Sequence, residues 1–212
     1  VAGVDRLFLR IGTPKEGSVI LLPRSLSDLR QLWRQRVEER VPIQYLAGRV
    51  HWRNFSLQVS PAVLIPRPET ELLIDLAIAA INQSPIAHKL GQNPWADLGA
   101  GSGAIALGLA ATFPQAQIYA VDCSREALEI AHQNALHNQL DGRIQFRQGD
   151  WFQPLQDLKG RLGGMVSNPP YIPSQVIHDL PPEIVRYEPH LALDGGRDGL
   201  DHIRYLVDTA QI

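Results

Sequence analysis

The sequence predicts an α/β domain with a doubly wound, mostly parallel sheet, and three observations predict it. From residue 95 onward, short apolar runs alternate with segments of helical spacing, as in chains of strand–helix–strand units. The first run closes on Asp97-Leu98-Gly99-Ala100-Gly101-Ser102-Gly103, a turn rich enough in glycine to pass tightly from a strand into a helix. Polar residues that can grip a ligand, Asp97, Asp122, Asp150 and Asn168, stand at the ends of successive runs, where open parallel sheets bind ligands.

Composition narrows the classes further. A chain of 212 residues, 44% hydrophobic and 20% charged, suits one large domain or a domain with a smaller appendage. A net charge of -2 leaves no basic excess with which to displace counterions from a nucleic-acid backbone, so stable nucleic-acid binding is not expected. Cys123 is the only cysteine, which rules out an internal disulfide and favours a reducing, cytoplasmic compartment. The histidines lack cysteine or carboxylate partners at ligand spacing, so no metal site is expected. No apolar run approaches the roughly 18 residues of a membrane span, and no signal peptide is visible. The chain opens on Val1 and its one methionine is Met165, which suggests that an N-terminal stretch has been removed.

Residues 1–24 are weakly patterned, broken by Pro14, Gly17 and Pro23. A helix follows, capped by Ser25 or Ser27, with Leu26, Leu29, Leu32, Trp33 and Val37 at helical spacing until Pro42 stops it. Its charged face, from Arg30 to Arg40, reads as solvated rather than as a docking surface. Val50 and Trp52, then Phe55, Leu57 and Val59, alternate on either side of Arg53-Asn54, predicting a hairpin. Leu64-Ile65-Pro66-Arg67-Pro68-Glu69-Thr70-Glu71 leads into an apolar helix over 69–81, with prolines and acids suited to a helix start. That stretch is either a rigid linker or the wall of a site. Residues 83–94 read as a loop. Strands over 95–98, 117–122 and 143–147 alternate with helices over 103–112 and 124–138. A weaker fourth strand ends at Ser167, and a last helix runs to Ile212.

The residues at the strand ends carry the chemistry. Glycine at alternate positions, Gly99, Gly101 and Gly103, differs from the dinucleotide fingerprint, whose last glycine falls one residue later. Asp97 beside this turn would attract an ammonium and repel a pyrophosphate. Asp122, 19 residues beyond Gly103, can accept both hydroxyls of a ribose or cap the next helix. Asp150 could accept from an adenine amino group, and Trp151 could lie on that ring or pack in the core. Cys123 reads as a packed residue rather than a nucleophile. Ser167-Asn168-Pro169-Pro170-Tyr171 ends the fourth strand. The Asn168 side-chain oxygen and the proline-held carbonyl of Pro169 can accept both protons of a flat –NH2 group, with the Tyr171 ring over its face. Ammonium, ribose, adenine and an amine grip together describe S-adenosylmethionine with an amine substrate.

These motifs resemble the S-adenosylmethionine-dependent methyltransferases of the Rossmann-like class I fold. They resemble most of all the HemK-type family, which methylates the glutamine amide of peptide chain release factors. Asn168-Pro169-Pro170-Tyr171 is shared with DNA and RNA amino-methyltransferases, which stay as the alternative. The narrower match lies in Pro42-Ile43-Gln44-Tyr45-Leu46-Ala47-Gly48, the 64–71 stretch, the 97–103 turn, Glu188-Pro189 and Ala192-Leu193-Asp194-Gly195-Gly196-Arg197-Asp198-Gly199-Leu200. The resemblance implies that Asp97, Leu98, Gly99, Ala100, Gly101, Gly103, Asp122, Asp150, Trp151 and Asn168 bind S-adenosylmethionine. It also implies that Asn168, Pro169, Pro170 and Tyr171 hold the glutamine of the Gly-Gly-Gln motif in class 1 release factors. It divides the chain into a partial helical domain over 1–47 that recognises the release factor, a hairpin linker over 48–66 and a catalytic domain over 67–212, in a monomer. Two departures carry expectations. Gly163-Gly164 replace the usual Phe-Asp, which should weaken the fourth strand. The family's sheet has further strands where this chain ends, so the fourth strand should be an exposed edge.

Overall fold

The computed structural model describes residues 24–210, so the expectations for Pro14, Gly17, Pro23 and Ile212 lie outside the described residues. The first helix, α1 (Leu26–Arg34), opens on a capping box: Asp28 N donates to Ser25 Oγ at 3.1 Å, and Ser25 N donates to the Asp28 carboxylate at 3.3 Å. Ser25 is therefore the cap. The helix passes into a π-helical turn, Gln35–Glu39, and stops at Arg40, which takes a left-handed conformation two residues before Pro42. Its apolar stripe is not buried among the described residues, since Leu26, Trp33 and Val37 are 72%, 63% and 58% exposed. The expected solvated face is the one that docks. Arg36 and Arg40 lie 2.9 and 2.7 Å from Glu183, and Tyr187 Oη donates to the Glu39 carbonyl at 2.8 Å. Charge complementarity across the chain, invisible in the helix's own spacing, decided this.

A short helix α2 (Ile43–Ala47) precedes an antiparallel hairpin, β1 (Arg49–Trp52) and β2 (Phe55–Gln58), turning at Arg53-Asn54. The 64–71 stretch closes in a 3₁₀ turn, Pro68–Glu71, continuous with α3 (Leu72–Asn82). The segment read as a loop over 83–94 holds one helical turn, α4 (Ala87–Leu90), whose Leu90 carbonyl accepts from Trp95 Nε1 at 3.0 Å.

Four strands then form one wholly parallel sheet in the order β5-β4-β3-β6, from β3 (Trp95–Leu98), β4 (Ile118–Asp122), β5 (Ile144–Gln148) and β6 (Gly164–Ser167). Alternation along β4 sends Ile118 and Ala120 to one face and Tyr119 and Val121 to the other, so the sheet is covered on both sides. On the first side lie α3 and α5 (Ala104–Thr112), with Trp52 and Leu57 of the hairpin. The second side is filled by Leu155, Leu158 and Leu206, the last from the final helix α8 (Asp201–Thr209), which follows α7 (Pro182–Tyr187). Helix α5 is apolar all round and buried from Ala104 to Ala110, as expected of a helix enclosed by a sheet and a second layer. At Gly108 a Cβ would come within 2.9 Å of Ile74, so glycine permits that close packing. Each of the enclosed side chains Trp52, Leu57 and Ile74 contributes about 1.5–3 kcal/mol by leaving water.

Helix α6 (Arg125–His137) is capped by Ser124, whose Oγ accepts from Ala127 N at 3.2 Å, and packs on β4 and β5. The glycines at the start of the fourth strand have a packing role. A Cβ on Gly164 would come within 2.5 Å of the Trp95 indole, so the missing side chain makes room for that ring against β6. Among the described residues β6 is an edge of the sheet, as expected.

Candidate active site

The carboxyl ends of β3, β4, β5 and β6 open into a cavity of about 240 Å³. Gly99 and Gly101 adopt left-handed φ of 76° and 53°, which turns the chain sharply off β3. Gly99 N and Ala100 N both donate to the Val121 carbonyl at 2.9 Å, tying the turn to β4. Asp122 then joins the two strand ends: Gly101 N donates to its Oδ2 at 2.8 Å and Ser124 N to its Oδ1 at 2.9 Å. The carboxylate thus helps start α6 and lines the cavity as well. Trp151 also serves twice. One part of its indole packs against the Leu155 and Leu158 cluster, while the ring lies beneath Gly99 and lines the cavity beside Asp150. Its backbone is left-handed, φ 49°, a conformation that costs a side-chain-bearing residue on the order of 1 kcal/mol.

Asn168 lines the same cavity as Gly101 and Asp122. Its Nδ2 donates to Thr70 Oγ1 at 3.4 Å, while Ser167 Oγ donates to the Leu98 carbonyl at 2.6 Å and holds the end of β6 against β3. Leu64, Pro66 and Thr70 come to the opposite side, so the 64–71 stretch is a wall of the site and not only a linker. Pro189, Leu191 and Ala192 close the cavity from the other flank.

The comparisons with known proteins agree with this geometry. The Methyltransferase small domain family matches residues 80–196. A release factor glutamine methyltransferase of Synechocystis is 52% identical over 204 residues, covering 96% of this chain and 67% of that protein. Another, of Gloeobacter violaceus, is 44% identical over 210 residues, covering 99% of this chain and 69% of its own length. This chain belongs to the release factor glutamine methyltransferase family. It spans about two thirds of the length of the relatives it matches. Among solved structures, the catalytic domain of human METTL16, crystallised with an RNA hairpin from MAT2A, superposes with a TM-score of 0.57 over 93% of this chain and 67% of its own; at 15% identity that likeness concerns the class I methyltransferase fold alone.

Release factor glutamine methyltransferases are S-adenosylmethionine-dependent, and the residues present fit that cofactor. A Cβ at Gly101 would meet no protein atom within 4 Å, so the loop presents open backbone to the cavity. Asp97 supplies an enclosed carboxyl group: its Oδ2 accepts from Ala106 N at 2.9 Å, while Oδ1 has no hydrogen-bond partner among the described residues. Burial raises the Asp97 pKa to about 7, with the Ala106 N–H opposing the rise and the Asp122 charge adding to it. A cation nearby would favour its ionised form.

Not every expected position lines the cavity. Asp97, Leu98 and Gly103 do not line the cavity. Asp97 and Leu98 point into the protein from a strand buried on both faces. Gly103, φ 79°, starts α5, and a Cβ there would meet Ala131 of α6 at 3.0 Å, so its glycine serves helix packing. Pro169 and Tyr171 also lie off the lining, and the Tyr171 ring is 57% exposed. The 195–199 turn packs closely on the Tyr171 backbone, where a Cβ at Gly195 would sit 2.7 Å from its Cα. The apolar wall falls instead to Leu64, Pro66, Pro189 and Leu191. Cys123 is exposed on the cavity wall rather than packed, and burial together with Asp122 and Asp150 raises its thiol pKa, which keeps it protonated. His202 was not anticipated: it lines the cavity with its ring 5.3 Å from that of Trp151 and its Nε2 3.2 Å from the Asp194 carbonyl.

Proposed function

We propose that this chain transfers a methyl group from S-adenosylmethionine to the side-chain amide nitrogen of the glutamine in the Gly-Gly-Gln motif of class 1 peptide chain release factors. The observation that carries the reading is that Asn168 faces the same hollow as Gly99, Gly101, Asp122 and Trp151. Gly99, Ala100, Gly101, Asp122, Asp150 and Trp151 hold the cofactor, with Asp97 acting from beneath the loop. The cofactor supplies an electrophilic methyl on a cationic sulfur. A carboxamide nitrogen is a poor nucleophile, so the protein's task is alignment, which can supply on the order of 7–11 kcal/mol in favourable cases. Asn168 Oδ1 and the Pro169 carbonyl accept the two amide protons and hold the nitrogen for in-line attack. Leu64, Pro66, Pro189 and Leu191 exclude water around it. With the nitrogen so held, its surplus proton would pass to solvent after methyl transfer, so this chain need supply no dedicated base.

The chain works as a cytoplasmic monomer on a protein substrate. The 1–47 region recognises the release factor, 48–66 links, and 67–212 is catalytic; the charge balance of -2 supports protein over nucleic acid as the target. Incubation with methyl-labelled S-adenosylmethionine is expected to label a release factor and to leave it unlabelled once the Gly-Gly-Gln glutamine is replaced by alanine. Label appearing in DNA or ribosomal RNA and not in the release factor would overturn the reading.

A further inference from the structure

Asn168 can accept a substrate N–H only if its side chain is held at the cavity wall with Oδ1 open to it. Among the described residues, the Asn168 side chain has one hydrogen-bond partner, Thr70 Oγ1, which accepts from Nδ2 at 3.4 Å and leaves Oδ1 free for the cavity that both residues line.

Thr70 is itself held from several directions. Its backbone N–H donates to the Arg67 carbonyl at 3.1 Å, and that carbonyl also accepts from Nε1 of the enclosed Trp52 at 3.0 Å. The Arg67 guanidinium places Nη2 at 2.6 and 2.8 Å from the two oxygens of Glu188, a carboxylate only 4% exposed. Glu188 immediately precedes Pro189 of the facing wall. The 3₁₀ turn carrying Thr70 is thereby fastened to the hairpin and to the far flank of the cavity. We propose that Thr70, held by the Arg67–Glu188 clasp, is the positioning residue that holds the Asn168 side chain at the cavity, where its Oδ1 meets the substrate. This rests on the functional reading above and adds to it the device that keeps the grip in place.

The test measures single-turnover methyl transfer to a release factor with purified variants of the chain. Thr70→Val removes the acceptor with little change of volume, and the rate is expected to fall about tenfold, the loss that goes with a missing oriented hydrogen bond. Affinity for S-adenosylmethionine and KM for the release factor are expected to stay within about twofold. Thr70→Ser, which keeps the hydroxyl, is expected to stay within about twofold of the unaltered rate, and Thr70→Val placed on Asn168→Ala is expected to cost nothing more. Thr70→Ala gives the same comparison should the valine variant fail to fold. An unaltered rate in Thr70→Val, an equal loss in Thr70→Ser, or a loss that adds in full to that of Asn168→Ala overturns the proposal. Failure of the unaltered chain to label the release factor refutes the functional reading and takes this inference with it.

Discussion

The two halves of the cavity are built in different ways. On the side proposed for the cofactor most lining groups lie within a few residues of a strand end: Gly99 to Gly101 after β3, Asp122 to Ser124 at β4, and Gly149 to Trp151 after β5. Backbone donors tie these turns to the sheet, as Gly99 and Ala100 do on the Val121 carbonyl. On the substrate side only Asn168 and Pro170 follow a strand. Their partners, Leu64, Pro66, Thr70, Pro189 and Leu191, come from segments outside the sheet and are fastened by individual side chains, above all Arg67 on Glu188 and Trp52 on the Arg67 carbonyl. The difference teaches that one half inherits its rigidity from the sheet, whereas the other depends on ties that a single substitution can sever.

The comparison breaks most visibly at Asn168. Asn168→Ala is expected to lower the methyl-transfer rate on the order of 10²–10³-fold, the loss typical of removing one preorganised polar group. Cofactor affinity should change by about twofold at most. Equal losses in single-turnover rate and in calorimetric affinity would mean that the two halves do not separate.

Arg67→Ala sharpens the contrast next. It strands the enclosed Glu188 carboxylate, whose pKa burial raises and Arg67 pulls down. With Arg67 itself a third exposed, the expected cost is about 3 kcal/mol of unfolding free energy in urea, accompanied by a higher KM for the release factor. Stability equal to that of the unaltered chain would show that the clasp holds nothing.

The smallest expected effect belongs to the cofactor half and depends on pH. The Asp97 pKa is raised to about 7 in the fold, chiefly by burial, from an ordinary value of 3.8. A raised carboxyl pKa means that the folded state keeps its proton after the unfolded chain has lost it. The fold therefore loses stability as pH rises from about 4 to about 7, and the penalty is complete above that range. Asp97→Asn does not titrate and should flatten this slope. In the cofactor-free protein it should add about 1–2 kcal/mol at pH 8, less than the full conversion of the shift because it encloses an amide N–H without a partner. Denaturation curves between pH 5 and 8 that stay parallel for the two proteins would contradict the assignment.

Elements with a local signature were legible before any coordinates. The strand-to-helix alternation, the hairpin turn at Arg53-Asn54, the Gly99–Gly101 turn and the place of Asn168 at a strand end each follow from the spacing of a few neighbouring residues. What local spacing did not show depended on distant partners. The charged face of α1 read as solvated, yet it docks, because Glu183 lies 147 residues away in sequence and at 2.9 Å from Arg36 in space. Gly163-Gly164 read as a weakness, though the Trp95 indole requires the room they leave.

By itself the sequence determined the sheet, the order of its strand ends and the chemical types presented there, because backbone geometry repeats over two to four residues and glycine, proline and acidic residues act within that range. Tertiary structure alone decided what holds the Asn168 side chain, which walls meet around it and which charges are paired. Those outcomes depend on contacts such as Thr70 with Asn168 and Arg67 with Glu188, between residues 98 and 121 positions apart, which no local spacing encodes.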